Sequence, residues 1–326
     1  FQHIEISSDQ GLINQTWLVG KPFSGVLQWV NPIFHPSVNA DIYSITQYAQ
    51  ANGLAIPSLL PTRSGQSYLE EEDGSWRILE FIPGQTFNSI SSLNLAKEAG
   101  NLVGEFHSAF WDYRHDWVSP RRDIHNTPSR MQDLIDALDK ADGHHLEVEA
   151  RALGQQILAH WENWDGTIDL PKRMTHGDLK ISNLRFDEQG KGLCLLDLDT
   201  LGESDFSVEM GDAWRSWCNP AGESNPDAVR FDLDIFEYSA KAWLKKLPLL
   251  ETVEKESLVA GIERICLELA ARFCADALNN SYFKENREQY PIPGTHNFRR
   301  AHTQFKLFQE VHRQRSKAEK LILSSL

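Results

Sequence analysis

The sequence predicts an α+β protein, with a small antiparallel-sheet unit over residues 1–85 and a larger helical unit over residues 86–326. Two patterns predict this class. Short strand-like runs separated by turns containing Gly and Pro fill the first unit, and apolar residues recur at helical spacing through most of the second. A hydrophobic content of 41% and a charged content of 24% are typical of globular chains, which excludes a disordered or collagen-like protein.

The first unit is predicted to contain four strands and one helix. Two apolar runs that flank the turn Gly-Lys-Pro-Phe-Ser-Gly indicate a hairpin. Apolar residues on one face, followed by a Gly, predict the helix. Two more strands surround the turn Glu-Asp-Gly. In chain order, these elements are expected at 17–19, 26–30, 36–52 (the helix), 67–71 and 76–82.

The second unit is dominated by helices. Thr127 is expected to be an N-cap with Pro128 at the first helical position. One stretch, 174–200, interrupts the helical pattern with short β-like runs around a polar loop, the kind of segment that often carries chemistry. Helices are predicted over about 95–110, 127–138, 146–164, 227–246, 252–279 and 298–322.

The charge balance bears on partners and location. The chain has 46 Asp and Glu against 32 Lys and Arg, a formal net charge of −14. Such a surface repels phosphate backbones and anionic lipids, so neither a nucleic acid nor a membrane is an expected partner. The four cysteines form no C-x-x-C pair, and we expect free, mostly buried thiols and a reducing, cytoplasmic location.

Residues suited to metal-dependent chemistry are concentrated between 175 and 200. Asp178 and Asn183 lie on one polar loop, and Asp197 follows an apolar strand that would return beside Asn183. Carboxylate and amide oxygens suit Mg²⁺ rather than zinc. A further carboxylate can accept a hydroxyl proton, as phosphoryl transfer from ATP requires. Asp199 is expected to add a second metal contact, because alternate residues of a strand point to the same side.

The motif His176-Gly-Asp-Leu-Lys-x-x-Asn, followed by Leu-Asp-Leu-Asp, resembles the catalytic core of the aminoglycoside phosphotransferase and choline kinase superfamily. The resemblance implies a protein-kinase-like fold that binds ATP between two lobes. It implies that Asp178 is the catalytic aspartate and that Asn183 and Asp197 bind Mg²⁺. Lys180 resembles the lysine that many members direct at the transferred phosphate.

The resemblance extends into the first unit. The segment from Gly11 to Thr16, which includes Asn14, resembles the short loop that covers the phosphates. The run from Arg77 to Gly84 resembles the strand and hinge that hold adenine, which implies hydrogen bonds from backbone atoms of Glu80 and Ile82.

One position departs from the usual pattern. The third strand of kinase-like folds commonly carries a lysine that binds ATP phosphates, and here that position corresponds to Gln28. An amide can donate a hydrogen bond but carries no charge, so some phosphate stabilisation is lost. Gln28 remains a candidate nucleotide-binding residue, and it is also the one feature that favours a catalytically silent nucleotide-binding module.

A narrower resemblance concerns the phosphate acceptor. Segments near His125 and from His296 to Gln304 resemble those of N-acetylhexosamine 1-kinases, which makes His125 and Arg300 candidate substrate residues. Gly211-Asp212-x-x-Arg215 resembles a stretch that follows the metal-binding strand, where Asp212 is either a structural anchor or a site residue.

Together these features predict an ATP- and Mg²⁺-dependent kinase of a small-molecule hydroxyl acceptor, a sugar such as an N-acetylhexosamine being favoured. Choline, homoserine and aminoglycosides are the alternative acceptors. Trp214 and Trp217, close in sequence to the metal strand, are the residues that would favour an aromatic cage for choline.

Overall fold

The computed structural model describes residues 4–6, 14–120, 124–167 and 169–324. The described chain forms a five-stranded antiparallel sheet with one helix, followed by a larger, mainly helical part with two small strand pairs. The predicted α+β class is therefore confirmed. The strands are β1 (Ile4–Ile6), β2 (Gln15–Val19), β3 (Gly25–Val30), β4 (Leu69–Glu71), β5 (Gly74–Glu80), β6 (Arg173–Thr175), β7 (Leu184–Phe186), β8 (Gly192–Leu195) and β9 (Gly202–Ser204). The helices are α1 (Val38–Ala51), α2 (Leu93–Ala109), α3 (Thr127–Asp139), α4 (Glu147–Glu162), α5 (Phe206–Trp217), α6 (Leu233–Leu244), α7 (Thr252–Asn279) and α8 (Thr295–Leu323).

The sheet has the order β1-β2-β3-β5-β4. The predicted hairpin is present as β2 and β3, with Trp17 opposite Leu27, and β3 pairs in turn with β5, with Gln28 opposite Arg77. Helix α1 buries the predicted apolar face of Ile42, Ile45 and Ala49. The sheet thus places Gln28 and Arg77 side by side on neighbouring strands.

The helical part is organised around α7, a 28-residue helix with most of its side chains buried. Helices α3, α4, α5 and α8 pack against it. The backbones of α5 and α7 approach so closely at Gly211 and Gly261 that a Cβ at either position would collide with backbone atoms of the other helix. This close crossing fixes the position of α5 against α7, next to the segment that contains the catalytic motif.

The segment that contains the predicted catalytic motif, residues 173–204, lies between the sheet and the helices and is called the catalytic segment below. Strand β6 pairs with β9, and β7 pairs with β8. Gln85, in the connection that leaves the sheet, exchanges two backbone hydrogen bonds of 2.8 Å with Phe186 on β7. The connection from the sheet is therefore tied directly to the catalytic segment. The boundary predicted at residue 85 between the two units stays a prediction.

Three local features differ from the sequence predictions or extend them. Asn126, not Thr127, caps α3, because its side chain accepts from Ser129 N at 3.1 Å. The short strands β1 and β9 and the helix α5 were not predicted. All four cysteines are free and buried, as expected. Across the part of the chain that is described, no helix is both long and apolar enough to span a bilayer.

Candidate active site

The catalytic loop, residues 176–183 after β6, is anchored by a buried glutamate on α5. Glu209 accepts hydrogen bonds from the backbone N–H groups of His176 at 2.7 Å and Gly177 at 2.9 Å. Burial would raise the pKa of Glu209, but bonds from His107 and from the loop lower it overall. A carboxylate that stays ionised in the interior makes these charge-assisted bonds strong. Glu209 is the anchor of this loop, a role that the sequence left open for Asp212.

The loop is also tied to the segment that carries Asp197. The His176 ring bonds to Leu196 O at 2.7 Å, and Thr200 Oγ1 donates to His176 O at 2.7 Å. Gly177 has φ +80°, and a Cβ there would lie 2.6 Å from Thr200 O. Only glycine tolerates both the left-handed backbone and this approach. The two halves of the motif therefore form one rigid unit.

Asp178, Lys180 and Asn183 converge as the motif predicts. Lys180 Nζ lies 2.7 Å from Asp178 Oδ2, and Asn183 Nδ2 donates to the same oxygen at 3.0 Å and to Asp178 O at 2.8 Å. Burial lowers the pKa of Lys180, but the carboxylates of Asp178, Asp197 and Asp212 raise it overall, so Lys180 stays a cation. Asp178 Oδ1 has no hydrogen-bond partner among the described residues and is available to a ligand.

Asp197 lies immediately beyond β8 with a left-handed backbone, φ 61° and ψ 64°. Its side chain is open to solvent, yet charged groups of the protein surround the carboxylate. Withdrawal from bulk water and the carboxylates of Asp199 and Asp178 raise its pKa. Within the described residues, no hydrogen bond satisfies this carboxylate. Such a site favours a bound cation, which would offset the clustered negative charge.

The donor set fits Mg²⁺ better than a metal held by protein alone. No group of three or more His, Cys, Asp or Glu with metal-binding geometry occurs in the described ranges. Mg²⁺ commonly takes one or two protein ligands and completes its coordination with water and substrate phosphates. Asn183 uses its NH₂ group on Asp178, so its amide oxygen remains for a metal beside Asp197. The residues present therefore fit the ion that the sequence predicted.

Asp199 has different partners from those expected. Its oxygens accept from Arg77 Nη1 at 2.5 Å and Nη2 at 2.9 Å, and Asn14 Nδ2 donates to it at 2.6 Å. Gln28 also joins this group, because its Oε1 accepts from Arg77 and its Nε2 donates to Thr16. Asn14, Gln28 and Asp199 thus form one cluster around Arg77, a residue to which the sequence assigned no such role. Gly11 lies outside the described residues.

The predicted adenine-binding connection follows β5. The amide of Glu80 donates to Ser58 O at 2.9 Å, and the carbonyl of Ile82 accepts from Arg185 Nε at 3.1 Å. These bonds leave the Ile82 amide as the donor available to a base among the described residues. The adenine contacts of Glu80 and Ile82 stay predictions.

A second set of polar side chains, from the segment before α3 and from helices α5 and α8, has buried atoms without hydrogen-bond partners. His125 Nδ1 lies 3.0 Å from Glu268 Oε1, while His125 Nε2 is buried without a partner. Asp212 Oδ1 accepts two bonds from Arg215, while Asp212 Oδ2 is buried without one. The negative charge of Asp212 helps to raise the pKa of both Lys180 and His125, so it interacts electrostatically with the loop and with the segment before α3.

Arg300 and Gln304 extend this group along α8. Arg300 Nη1 donates to Lys284 O at 3.1 Å and Asn297 Oδ1 at 3.2 Å, but Arg300 Nε is buried without a partner. Both amide atoms of Gln304 are buried and unpartnered too. Buried polar atoms are normally satisfied. The unpartnered donors and acceptors before α3, on α5 and on α8 are therefore candidate contacts for a polar ligand.

The His125–Glu268 pair should make stability depend on pH. Burial lowers the pKa of His125, but Glu268 and Asp212 raise it overall. A raised folded-state pKa gives stability that is complete below the unfolded value of about 6.5 and is lost as pH rises through the folded value. We expect the unfolding free energy to fall over this range, by about 1.4 kcal/mol for each pH unit by which the folded-state pKa of His125 exceeds its unfolded-state pKa. Denaturant titrations between pH 5.5 and 8.5 should show a flatter profile for His125→Asn, but not for His35→Asn, which alters an exposed loop residue.

Comparisons with known proteins agree with this geometry. A family model described as the phosphotransferase enzyme family matches residues 7–244. A homoserine kinase of Gluconobacter oxydans (strain 621H) is 26% identical over 193 residues, which make up 57% of this chain and 58% of that protein. The chain thus aligns with less than two thirds of the length of this relative.

Solved structures share the fold over nearly the whole chain. An aminoglycoside phosphotransferase from Alicyclobacillus acidocaldarius superposes with a TM-score of 0.63 at 16% identity, covering 98% of this chain and 92% of that one. Amicoumacin kinase hAmiN, solved with AMP-PNP, Ca²⁺ and its ligand Ami, has a TM-score of 0.60 at 10% identity, covering 94% and 88%. The solved structures confirm the kinase-like fold, and the family model supports the superfamily, but neither singles out the N-acetylhexosamine branch. Since the family match spans more than half of the chain, the protein belongs to the phosphotransferase enzyme family.

Proposed function

We propose that the protein transfers the γ-phosphate of ATP, with Mg²⁺, to a hydroxyl group of a neutral sugar such as an N-acetylhexosamine. The choice of acceptor rests on one observation, the buried and unpartnered donors and acceptors of His125, Asp212, Arg300 and Gln304. A ligand with several hydroxyl groups can both donate to Asp212 Oδ2 and accept from Arg300 Nε. An acceptor of that kind satisfies groups of both types at once.

The chemistry proposed for the loop follows from its hydrogen bonds. Lys180 and Asn183 both occupy Asp178 Oδ2, so the Oδ1 atom is left to accept the proton of the acceptor hydroxyl. Asp178 thereby orients the attacking oxygen and removes its proton. Lys180 places a positive charge next to the reacting group, where negative charge spreads in the transition state.

Asn183 and Asp197 are the residues proposed to hold Mg²⁺, which when bound neutralises charge on the ATP phosphates. The amide oxygen of Asn183 and the unpartnered carboxylate of Asp197 supply the hard oxygen ligands that this ion requires. Glu209 and His176 keep the two ligands in register, because they tie the catalytic loop to the segment before Asp197.

The same structure disfavours choline. Trp214 and Trp217 are fully buried, and their indole N–H groups donate to Ser239 Oγ and Leu179 O. Neither ring is therefore free to form the aromatic cage that a quaternary ammonium requires.

Homoserine is the second candidate acceptor, because a relative described as a homoserine kinase aligns with more than half of the chain. Homoserine carries an ammonium and a carboxylate. The carboxylate of Asp212 has the charge to pair with this ammonium, and the guanidinium of Arg300 has the charge to pair with this carboxylate. A sugar would thus form hydrogen bonds with these residues, whereas homoserine would form ion pairs with them.

An acceptor panel tests this proposal. ADP release from Mg·ATP would be measured with N-acetylhexosamines, homoserine, choline and an aminoglycoside. We expect the highest kcat/KM for an N-acetylhexosamine. Arg300→Ala should raise the KM of that sugar about 10-fold while leaving the KM of ATP unchanged, since a lost hydrogen bond to a buried group costs about 1–3 kcal/mol. Arg313→Ala, on an exposed turn of the same helix, is the matched control.

Three results would decide against the proposal. A clear preference for homoserine would favour the second candidate, and a preference for choline would contradict both. No ADP release with any hydroxyl acceptor, despite ATP binding, would instead favour a silent nucleotide-binding module.

A further inference from the structure

Arg77 has no role in the function proposed above, yet its side chain is among the most completely bonded in the protein. Nε and Nη2 donate to Gln28 Oε1 at 2.9 and 2.8 Å, and Nη1 donates to Asn39 Oδ1 at 3.2 Å. Nη1 and Nη2 donate to the two oxygens of Asp199 at 2.5 and 2.9 Å. A guanidinium has five N–H donors, and all of them are used here. The side chains of Arg77 and Asp199 are each 1% exposed.

These bonds join the sheet to the metal-binding segment. Gln28 lies on β3, directly opposite Arg77 on β5, and Asn39 lies in the first turn of α1. Asp199 belongs to a 3₁₀ turn that begins one residue after Asp197. A buried, bidentate guanidinium–carboxylate pair restricts both distance and orientation. Arg77 therefore links the sheet and α1 to the end of the catalytic segment.

The backbone of Asp197 is in turn fixed on both sides. Before it, the His176 ring bonds to Leu196 O at 2.7 Å. After it, Asp199 is held by Arg77. A non-glycine residue with φ 61° persists only where its surroundings impose that conformation. The bonds of His176 and Arg77 are the observed constraints on either side of this residue.

We infer that Arg77 is a positioning residue that acts through Asp199 to hold the Asp197 carboxylate at the metal, and that Asp199 is not itself a metal ligand. This inference rests on the proposed function. Both oxygens of Asp199 accept hydrogen bonds from Arg77, and one of them also accepts from Asn14, so most of the acceptor capacity of the carboxylate is used inside the protein. The uncharged Gln28 on β3 is explained too, since its amide oxygen accepts two of the bonds that orient Arg77.

Calorimetric titration of ATP into the full chain, with Mg²⁺ and then with EDTA, tests this inference. The ratio of the two dissociation constants gives the factor by which Mg²⁺ tightens binding. We expect Arg77→Met to reduce that factor by about 10-fold, as is typical when a residue that orients a metal ligand is removed. Asp199→Asn should cause a similar loss, and the double variant no greater one, because both residues act through one contact.

Two further variants allow for damage to folding. Arg77→Lys keeps a positive charge against Asp199, but one ammonium does not reproduce the planar fork that bonds to Gln28, Asn39 and Asp199. It should still reduce the Mg²⁺ factor by about threefold or more. Arg315→Met removes an arginine that binds Asp165 and Glu319 on the helical part. It should lower the unfolding midpoint and leave the Mg²⁺ factor unchanged.

The outcomes separate the inference from the proposal beneath it. Retention of the wild-type Mg²⁺ factor in Arg77→Met and Arg77→Lys, together with its loss in Asp199→Asn alone, would show that Asp199 binds the metal and would overturn the inference. Wild-type ATP binding that does not respond to Mg²⁺ would overturn the proposed function, and the inference with it.

Discussion

Replacing Asp178 by Asn should lower kcat by about 10²–10⁴-fold, the usual cost of losing a general base, while ATP affinity is retained. The amide can keep the bond to Lys180 but cannot accept the acceptor proton. Asp178 is half-buried on a loop that Glu209 and His176 hold independently, so the fold should survive this isosteric change. Steady-state kinetics and ATP calorimetry on the same preparation check both statements.

Asp142→Asn is the matched control, because it changes an aspartate that is 87% exposed on a distant surface turn. It should leave kcat and ATP affinity unchanged. If Asp178→Asn kept more than about a tenth of the wild-type activity, Asp178 would not be the base.

Replacing Asp197 by Asn should abolish the effect of Mg²⁺ on ATP binding and lower kcat by about 10²–10³-fold, the range seen when one electrostatic contact to the transition state is lost. The physical reason is the unpartnered carboxylate, whose pKa is raised by partial desolvation and by nearby Asp199 and Asp178. Wild-type enzyme in excess EDTA should likewise lose turnover.

The unfolding midpoint separates this effect from damage to the fold. Asp197→Asn removes one of several clustered negative charges, so in EDTA the variant should unfold at the same temperature as wild type or higher. Full activity of the wild type in EDTA, or normal Mg²⁺-dependent ATP binding by the variant, would rule out Asp197 as the metal ligand.

The sequence could predict that the polar side chains of the catalytic loop lie together, because they are close in the chain. Asp178, Lys180 and Asn183 lie within six consecutive residues, and the structure brings them together through direct hydrogen bonds. The β2–β3 hairpin was equally accessible, since turn residues and apolar runs specify it without distant contacts. The core motif needed no tertiary information.

The role of Glu209 was not accessible in the same way. Helix α5 buries polar as well as apolar side chains, Glu209 and Asp212 among them, so the sequence alone does not show which of its carboxylates contacts the loop. The bonds from Glu209 to the loop amides join residues 33 and 32 positions apart. The Gly-Asp motif marked the right helix and drew attention to Asp212, three residues away from the actual anchor.

The expectation for Asp199 assumed that strand β8 continues through Asp197 and Asp199, but the strand ends before both residues. Strand β8 stops at Leu195, Asp197 adopts a left-handed backbone and a 3₁₀ turn follows. The alternation of side chains that would place Asp197 and Asp199 on one side therefore does not apply. The partner of Asp199 could not be predicted either, because Arg77 precedes it by 122 residues.

The most direct test of the central claim follows the phosphate itself. ATP labelled with ³²P at the γ position would be incubated with the protein, Mg²⁺ and an N-acetylhexosamine, and the products separated. The account predicts that the label appears in a sugar phosphate, that EDTA prevents this, and that Asp178→Asn reduces it by at least about 10²-fold. Label that stays in ATP or appears only as inorganic phosphate, or equal transfer by the Asp178→Asn variant, would contradict it.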